Sequence, residues 1–351
     1  MRIAVVLRDP PPQSARPGAD RLRRLALELD DRGHEVTVYC LPWWEGASRR
    51  IEINGLSHEG VTFEHSALYY TRLPGLLARY DPDVIVTSAS PPEAVVAAWL
   101  GARIARVPLF CDWYGDEPES VDSRWLGRAA SLPTQIVTPS AFQRTRVREC
   151  GASEDDTVVV PDGIDFSKIP STAPGERREI AYAAELDDDS NLEDLFLALA
   201  ELRNRDDWTA TVIGDGPERA GYETQARDLL IDDRVEFVGD LSREERIAVY
   251  RGAHTFVQTA RRQTFARELL WALACGCVGV VEIQGDSSAH ELVERRERGI
   301  RVTDMDALDE AIEESWRLGF RDIDETFRSF DDAAIMGEYV DLFRRFGVEA
   351  R

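Results

Sequence analysis

Hydrophobic positions along this chain fall into short continuous runs separated by amphipathic stretches, and the alternation repeats almost throughout. Ile3–Leu7 is apolar at every position, as a strand buried on both faces requires. After a proline-rich loop, Leu22, Leu25, Ala26 and Leu29 recur at the spacing of one helix face, and Gly33-His34 closes that helix. The same alternation predicts strands at 35–40, 83–87, 107–111, 135–138 and 157–160, with helices near 92–104 and 141–149. Residues 166–178 interrupt it with Pro170, Pro174, Gly175 and charges, and read as a linker. A second series then predicts strands at 180–183, 210–213, 235–238, 255–258 and 278–282, alternating with helices at 192–203, 219–230, 243–251 and 263–275. Strand–helix alternation of this kind builds parallel sheets covered by helices on both faces. The expectation is an α/β chain with one Rossmann-like domain over 1–165, a linker over 166–178 and a second such domain over 179–330. Ile335, Tyr339, Leu342, Phe343 and Phe346 mark a last amphipathic helix within 331–351.

Composition sharpens this picture. A chain of 351 residues is long enough for two separate cores. No apolar run reaches the roughly 18 residues needed to span a bilayer, and Met1 leads directly into a strand with no charged leader, so a cytoplasmic location is expected. The formal net charge is −23, and Lys168 is the only lysine among 42 cations. A carboxylate-rich surface nearly free of lysine suits a halophilic protein, because concentrated salt screens its self-repulsion. It argues against nucleic-acid binding, which needs a basic footprint. The charge is uneven. Residues 1–165 carry 18 Lys/Arg against 24 Asp/Glu, and residues 166–351 carry 24 against 41. The five cysteines lack zinc spacing and read as buried reduced thiols.

Candidate chemistry clusters after predicted strands, where ligands bind in sheets of this kind. Gly214-Asp215-Gly216 follows the 210–213 strand, and a glycine turn there brings backbone N–H groups close to a phosphate. Gln263-Thr264-Phe265-Ala266-Arg267-Glu268 opens the 263–275 helix, which ends at Gly276 before a buried strand. In the first half, Cys111-Asp112-Trp113-Tyr114-Gly115-Asp116-Glu117 follows a strand, as do Ser88 and Ser90. Trp43-Trp44 either packs under its loop or touches a membrane surface.

These motifs resemble those of family-4 glycosyltransferases of the GT-B type. Arg32–Val38 is similar to that family's second acceptor-domain strand, and Val159–Asp165 to its interdomain segment. Val212–Glu218 is similar to its Gly-x-Gly-Pro turn, Val235–Leu241 to the strand beside its base pocket, and Ser288–Val293 with Gly299 to its closing segment. The resemblance implies two domains facing a cleft, with the 331–351 helix returning to the first. It implies transfer of a hexose from a nucleotide diphosphate sugar, the co-substrate, to a lipid-linked or cell-surface glycan acceptor. Retention of configuration, with no metal and no further cofactor, is also implied. Peripheral membrane contact through the first domain is an expectation from Trp43-Trp44 and from that half's weaker negative charge.

By the same resemblance, Gly214, Asp215, Gly216, Glu185, Ser190, Arg262, Thr264, Phe265, Arg267 and Trp271 are donor-binding positions. Gln263, Glu268, Tyr114 and Asp116 are catalytic candidates, and Gly18, Ser88 and Asp112 acceptor-binding ones. The chain departs from the family at four donor-side positions and at Tyr114. Glu185 stands where an Arg is expected and Ser190 where a Lys is, so both cations that hold the diphosphate are missing. Gln263 and Trp271 stand where the two motif glutamates are expected, and Tyr114 stands near a usual His. Arg261, Arg262 or Arg267 compensates for the lost cations, or all three are surface arginines. Asp187–Asp189 is either an ion site or a solvated acidic run. Trp271 either stacks on the donor or fills the helix–sheet core, and Glu268, one helical turn earlier, either stands in for the displaced carboxylate or faces solvent. A GT-B protein that binds a sugar nucleotide, glycan or partner enzyme without catalysis is the alternative reading.

Overall fold

The computed structural model describes residues 1–46, 48–63, 67–117 and 122–348. The chain forms two compact units, Met1–Pro161 joined by the segment from Ala333 onward, and Asp162–Asp332.

The first unit is built on strands β1 (Arg2–Val6), β2 (Glu35–Cys40), β3 (Arg50–Ile53), β4 (Leu56–Gly60), β5 (Val84–Ser88), β6 (Leu109–Asp112), β7 (Gln135–Thr138) and β8 (Thr157–Val159). Their order is β3-β4-β2-β1-β5-β6-β7-β8, parallel except for the β3–β4 hairpin. Side chains of β1 alternate between two cores, Ile3 and Val5 into one and Ala4 and Val6 into the other. That is why the strand reads as continuously apolar. Helix Pro17–Asp31 closes the first core with Leu22, Ala26 and Leu29. Helix Asp332–Arg345 completes it, its Phe343 ring meeting Phe110 edge-on at 4.9 Å. Strand order reverses at β1, so the switch point lies at the C-terminal ends of β1 and β5.

The second unit has strands β9 (Arg178–Ala183), β10 (Ala210–Ile213), β11 (Val235–Gly239), β12 (Ala253–Gln258), β13 (Arg262–Gln263), β14 (Val278–Glu282), β15 (Asp286–Ser287) and β16 (Gly299–Val302). Six of them form an all-parallel sheet in the order β11-β10-β9-β12-β14-β16, while β13 and β15 pair separately. The fold is therefore α/β, with two Rossmann-like parallel-sheet units.

Several local features differ from the sequence reading. Residues 166–178 are packed into the second unit. Phe166 and Ile169 are buried, and Arg251 donates to the carbonyls of Ile169 and Thr172. The helix expected from 263 begins at Arg267, because Arg262 and Gln263 pair with β15 as a short strand. The β3–β4 hairpin and helices Ala67–Tyr80, Ser123–Ser131 and Leu308–Trp316 had no counterpart in the apolar pattern. Cys40, Cys111, Cys275 and Cys277 are buried free thiols, and Cys150 is partly exposed. Among the described residues, no helix is long and apolar enough to cross a membrane.

Candidate active site

In the second unit a cavity of about 540 Å³ opens where β9, β10, β11 and β12 end. Ala183 and Ala184 form its floor, and Glu185, Asp187, Asp189, Asp215, Asp240 and Glu268 bring six carboxylates to its wall. Two cations, Arg246 and Arg262, line it with them, and Gln263 faces in from β13. The pocket is acidic, and those two arginines are what it offers to a diphosphate.

Arg246 is fixed from several sides. Its Nε donates to the Leu241 carbonyl at 3.0 Å, and its terminal nitrogens lie 3.5 Å from Glu268 and 3.6 Å from Asp240. It projects from helix Arg243–Gly252, whose start is set by a capping box between Ser242 and Glu245. Glu268 anchors this arrangement. One of its oxygens accepts from Tyr250 at 2.5 Å and from Arg243 at 3.0 Å, and the other lies 2.9 Å from Arg243. Burial pushes the pKa of Glu268 up, but Arg243, the Tyr250 hydroxyl and Arg246 outweigh it and hold the carboxyl below its ordinary range. Glu268 is thus an ionised, fully engaged carboxylate that aims Arg246.

The glycine turn acts differently from expectation. Gly214 N–H donates to Gly239 O at 2.9 Å, and Gly216 N–H to the Asp215 carboxylate at 2.8 Å. Neither amide is directed at a phosphate. The glycines are required instead by close approach of the 184–186 segment. Gly214 has φ +128°, and a Cβ there would overlap the Ala184 carbonyl, as one on Gly216 would overlap that of Leu186. Ser190 is buried, its hydroxyl on Asp187 O at 2.7 Å and against Tyr222 at 2.9 Å, so it closes the Asp187–Asp189 turn.

The structure also separates the flanking arginines. Arg261 binds Asn191 and Glu193, both at 2.7 Å, and the Asp188 carbonyl. Arg267 donates to Gly163 O at 3.2 Å and lies 3.8 Å from Asp162, outside the pocket wall. Arg262, half-exposed and 4.0 Å from Asp189, is the flanking cation that reaches the pocket. Trp271 is 1% exposed, off the pocket wall and beneath Arg243, whose guanidinium lies 5.1 Å from its ring. It fills the helix–sheet core. Phe265 is buried, and Thr264 contributes its carbonyl to Ser288 at 2.6 Å.

In the first unit the candidates gather at the switch point. Gly18 N–H donates to Asp116 at 2.8 Å, and a Cβ on Gly18 would lie 2.8 Å from Tyr114 Cβ and 2.9 Å from the Asp116 carboxylate. Ser88 Oγ accepts from Ser90 N–H at 3.1 Å, and Arg16 binds Ser90 Oγ. Asp112 is buried in a triad. Arg21 Nε donates to it at 3.1 Å, Tyr339 Oη binds the same oxygen, and Arg21 also binds Tyr339 Oη at 2.8 Å. Asp112 therefore ties helix Asp332–Arg345 to the sheet and is not presented to a ligand by that oxygen. Glu117, beside Asp116, has a buried oxygen with no hydrogen-bond partner, and burial together with Asp116 raises its pKa to about 7.

Sequence reasoning missed Arg246, Asp240, Arg16 and Glu117. Arg246 sits in a charged helix that reads as solvated surface. Glu117 and Asp240 lie inside the Cys111–Glu117 and Val235–Leu241 motifs without having been singled out, and Arg16 stands two residues before Gly18, so position beside known motifs was the available signal.

Two family models match the chain in succession: Glycosyltransferase Family 4 over residues 19–168 and Glycosyl transferases group 1 over residues 164–318. The chain is 24% identical over 329 residues to a GDP-mannose-dependent alpha-(1-6)-phosphatidylinositol monomannoside mannosyltransferase of Mycobacterium tuberculosis, covering 86% of this chain and 85% of that one. It is 27% identical over 314 residues to a GDP-mannose-dependent alpha-mannosyltransferase of Mycolicibacterium smegmatis, covering 79% and 78%. Among solved structures, a glycosyltransferase from Rickettsia africae superposes with TM-score 0.79 at 14% identity over 99% of both chains. Anabaena HepE in complex with UDP superposes with TM-score 0.74 at 18% identity, over 98% of this chain and 100% of that one. The class follows: the protein is a glycosyltransferase with the GT-B fold. Within that class it is of the family-4 type, its two matched domains lying in order along one chain.

Proposed function

We propose that the protein moves a hexose from a nucleotide diphosphate sugar to a lipid-linked or cell-surface glycan acceptor, with retention of configuration and without a metal. The 540 Å³ pocket of the second unit takes the donor. The observation that carries this reading is the fixed Arg246 together with Arg262, two guanidinium groups on the wall of a pocket at the C-terminal strand ends. Guanidinium forks bind phosphate oxygens bidentately, so these two take the place of the cations lost at Glu185 and Ser190. Gln263 hydrogen-bonds a sugar hydroxyl, and Glu268 is a positioning residue acting through Arg246. Acceptor binding falls to Gly18, Ser88, Tyr114 and Asp116 of the first unit. The mannosyltransferase relatives make GDP-mannose the first donor to try, and contact with a membrane surface through the first unit suits a lipid-linked acceptor.

The test is titration with GDP-mannose, UDP-glucose and related donors in molar KCl. A transfer assay on glycolipid vesicles with and without EDTA follows, with the anomeric configuration of the product read by NMR. Saturable binding and EDTA-insensitive, retaining transfer support the reading. Absence of binding by every donor overturns it. Binding without turnover moves the protein to a non-catalytic sugar-nucleotide binder.

A further inference from the structure

A second, smaller cavity of about 200 Å³ lies in the same unit, at the other end of the sheet. Cys277 leads into β14 and Arg298 into β16, so this cavity is at the N-terminal ends of those strands. Four arginines, Arg295, Arg296, Arg298 and Arg321, line it against two carboxylates, Glu297 and Asp324. That balance inverts the chain's own, which is 42 cations to 65 acids.

The two inner arginines are held without carboxylates. Arg298 is 7% exposed, and its guanidinium donates to Gly276 O at 2.9 and 3.1 Å and to Gly319 O at 2.7 Å. Arg296 is half-buried, its guanidinium carbon 4.0 Å from the Phe327 ring centroid and 5.9 Å from that of Phe330. Among the described residues its side chain makes no hydrogen bond or ion pair. Asp324 is already committed. One oxygen accepts from Thr326 N–H and Oγ1 at 3.0 and 2.6 Å, and the other binds Arg321 at 2.6 Å. Glu297 is exposed and lies 3.8 Å from Arg321.

Burying a cation without an acid costs free energy unless something neutralises it. Burial lowers the pKa of both Arg296 and Arg298, and Arg321 adds like-charge pressure on Arg298; the nearby Asp324, with Glu297 for Arg298, offsets this only in part. Carbonyls fix one guanidinium and an aromatic ring the other, so neither has to be ordered on binding. We infer that this cavity binds a phosphate-class oxyanion. Guanidinium forks match tetrahedral oxyanions bidentately, and the volume admits a phosphate group while leaving the remainder of a larger ligand outside. Free phosphate and the phosphate head of an anionic lipid share this chemistry.

The probe is inorganic phosphate, titrated calorimetrically into the full chain at constant high KCl. Wild type should bind it saturably. Arg296→Gln should weaken that binding roughly tenfold, the loss expected for one charge-assisted hydrogen bond, while Arg246→Gln should leave it in place. Arg295→Gln guards against a folding defect. Arg295 is 91% exposed with one weak partner, so its loss should weaken binding severalfold with an unchanged melting curve. Cosedimentation with phosphatidic acid vesicles, lost in Arg296→Gln and absent with phosphatidylcholine, would assign the site to a lipid headgroup. Phosphate binding without cosedimentation would assign it to the free anion. Absence of saturable binding overturns the inference, as does binding that survives Arg296→Gln and Arg295→Gln.

Discussion

The two ends of the second sheet present opposite pockets. At the C-terminal strand ends, two arginines face six carboxylates. At the N-terminal ends, four arginines face two. Both belong to one unit of one strongly acidic chain, so net charge does not tell what a local site will accept. The difference lies in how each arginine is held. Arg246 is aimed by a half-buried carboxylate, Glu268, itself neutralised by Arg243. Arg296 and Arg298 are held by a ring and by carbonyls, which fix position without a directly bonded carboxylate. A site with few cations depends on each of them, and a site with several is more tolerant.

Arg246→Ala should do the most damage. With one of two cations gone, kcat/KM for transfer should fall roughly 10²–10³-fold, as for loss of a single preorganised donor. A fall no larger than that of an exposed arginine would remove Arg246 from the diphosphate. Next in size is Gly214→Ala. A Cβ overlapping the Ala184 carbonyl at φ +128° should destabilise the second unit by about 3 kcal/mol. Its melting transition would drop by roughly 6–12 °C, and an unchanged transition would show that the 184–186 segment can yield.

The first unit offers a contrast in carboxylates. Glu117 has its pKa raised to about 7, chiefly by burial, so its neutral form is favoured in the fold. Its contribution to stability is full below the ordinary carboxylate pKa of about 4.3. It is lost as pH rises through about 7. Moving from pH 5 to pH 8 should therefore cost the first unit on the order of 2 kcal/mol, read as a falling melting temperature. Glu117→Gln should flatten that slope. Glu268, with its pKa held down, behaves oppositely, contributing at neutral pH and losing that contribution only in acid. The smallest expected effect is at the arginine-rich pocket, where Arg296→Gln removes one cation of four and leaves transfer at the wild-type rate. A matching loss of transfer would couple the two ends of the sheet.

Much of the fold was legible in the sequence because buried parallel strands leave continuous apolar runs. The elements that were not read have weaker signatures. Helix Ala67–Tyr80 carries an internal Pro74, and β3 is an edge strand with alternating exposure. At the pocket of the C-terminal strand ends, Glu185, Asp215, Arg262 and Gln263 could be placed because they occupy motif positions beside strands. Arg246 could not, since its role depends on Glu268 and Asp240 meeting it from other segments. The glycines were found for one reason and are needed for another, because backbone close approach and phosphate approach leave the same trace in sequence. Trp271 shows the same limit, as a large aromatic suits either a ligand face or a core.

Helix Asp332–Arg345 gives the first unit a discontinuous core. Tyr339 and Phe343 seal against Arg21, Asp112 and Phe110, residues synthesised more than two hundred positions earlier. During translation the second unit is thus the one whose chain emerges without interruption, although it comes later in the gene. The opening half must wait with Phe110 and the Arg21–Asp112 pair unsealed until residues 339–343 leave the ribosome tunnel, an interval in which chaperone capture competes with closure.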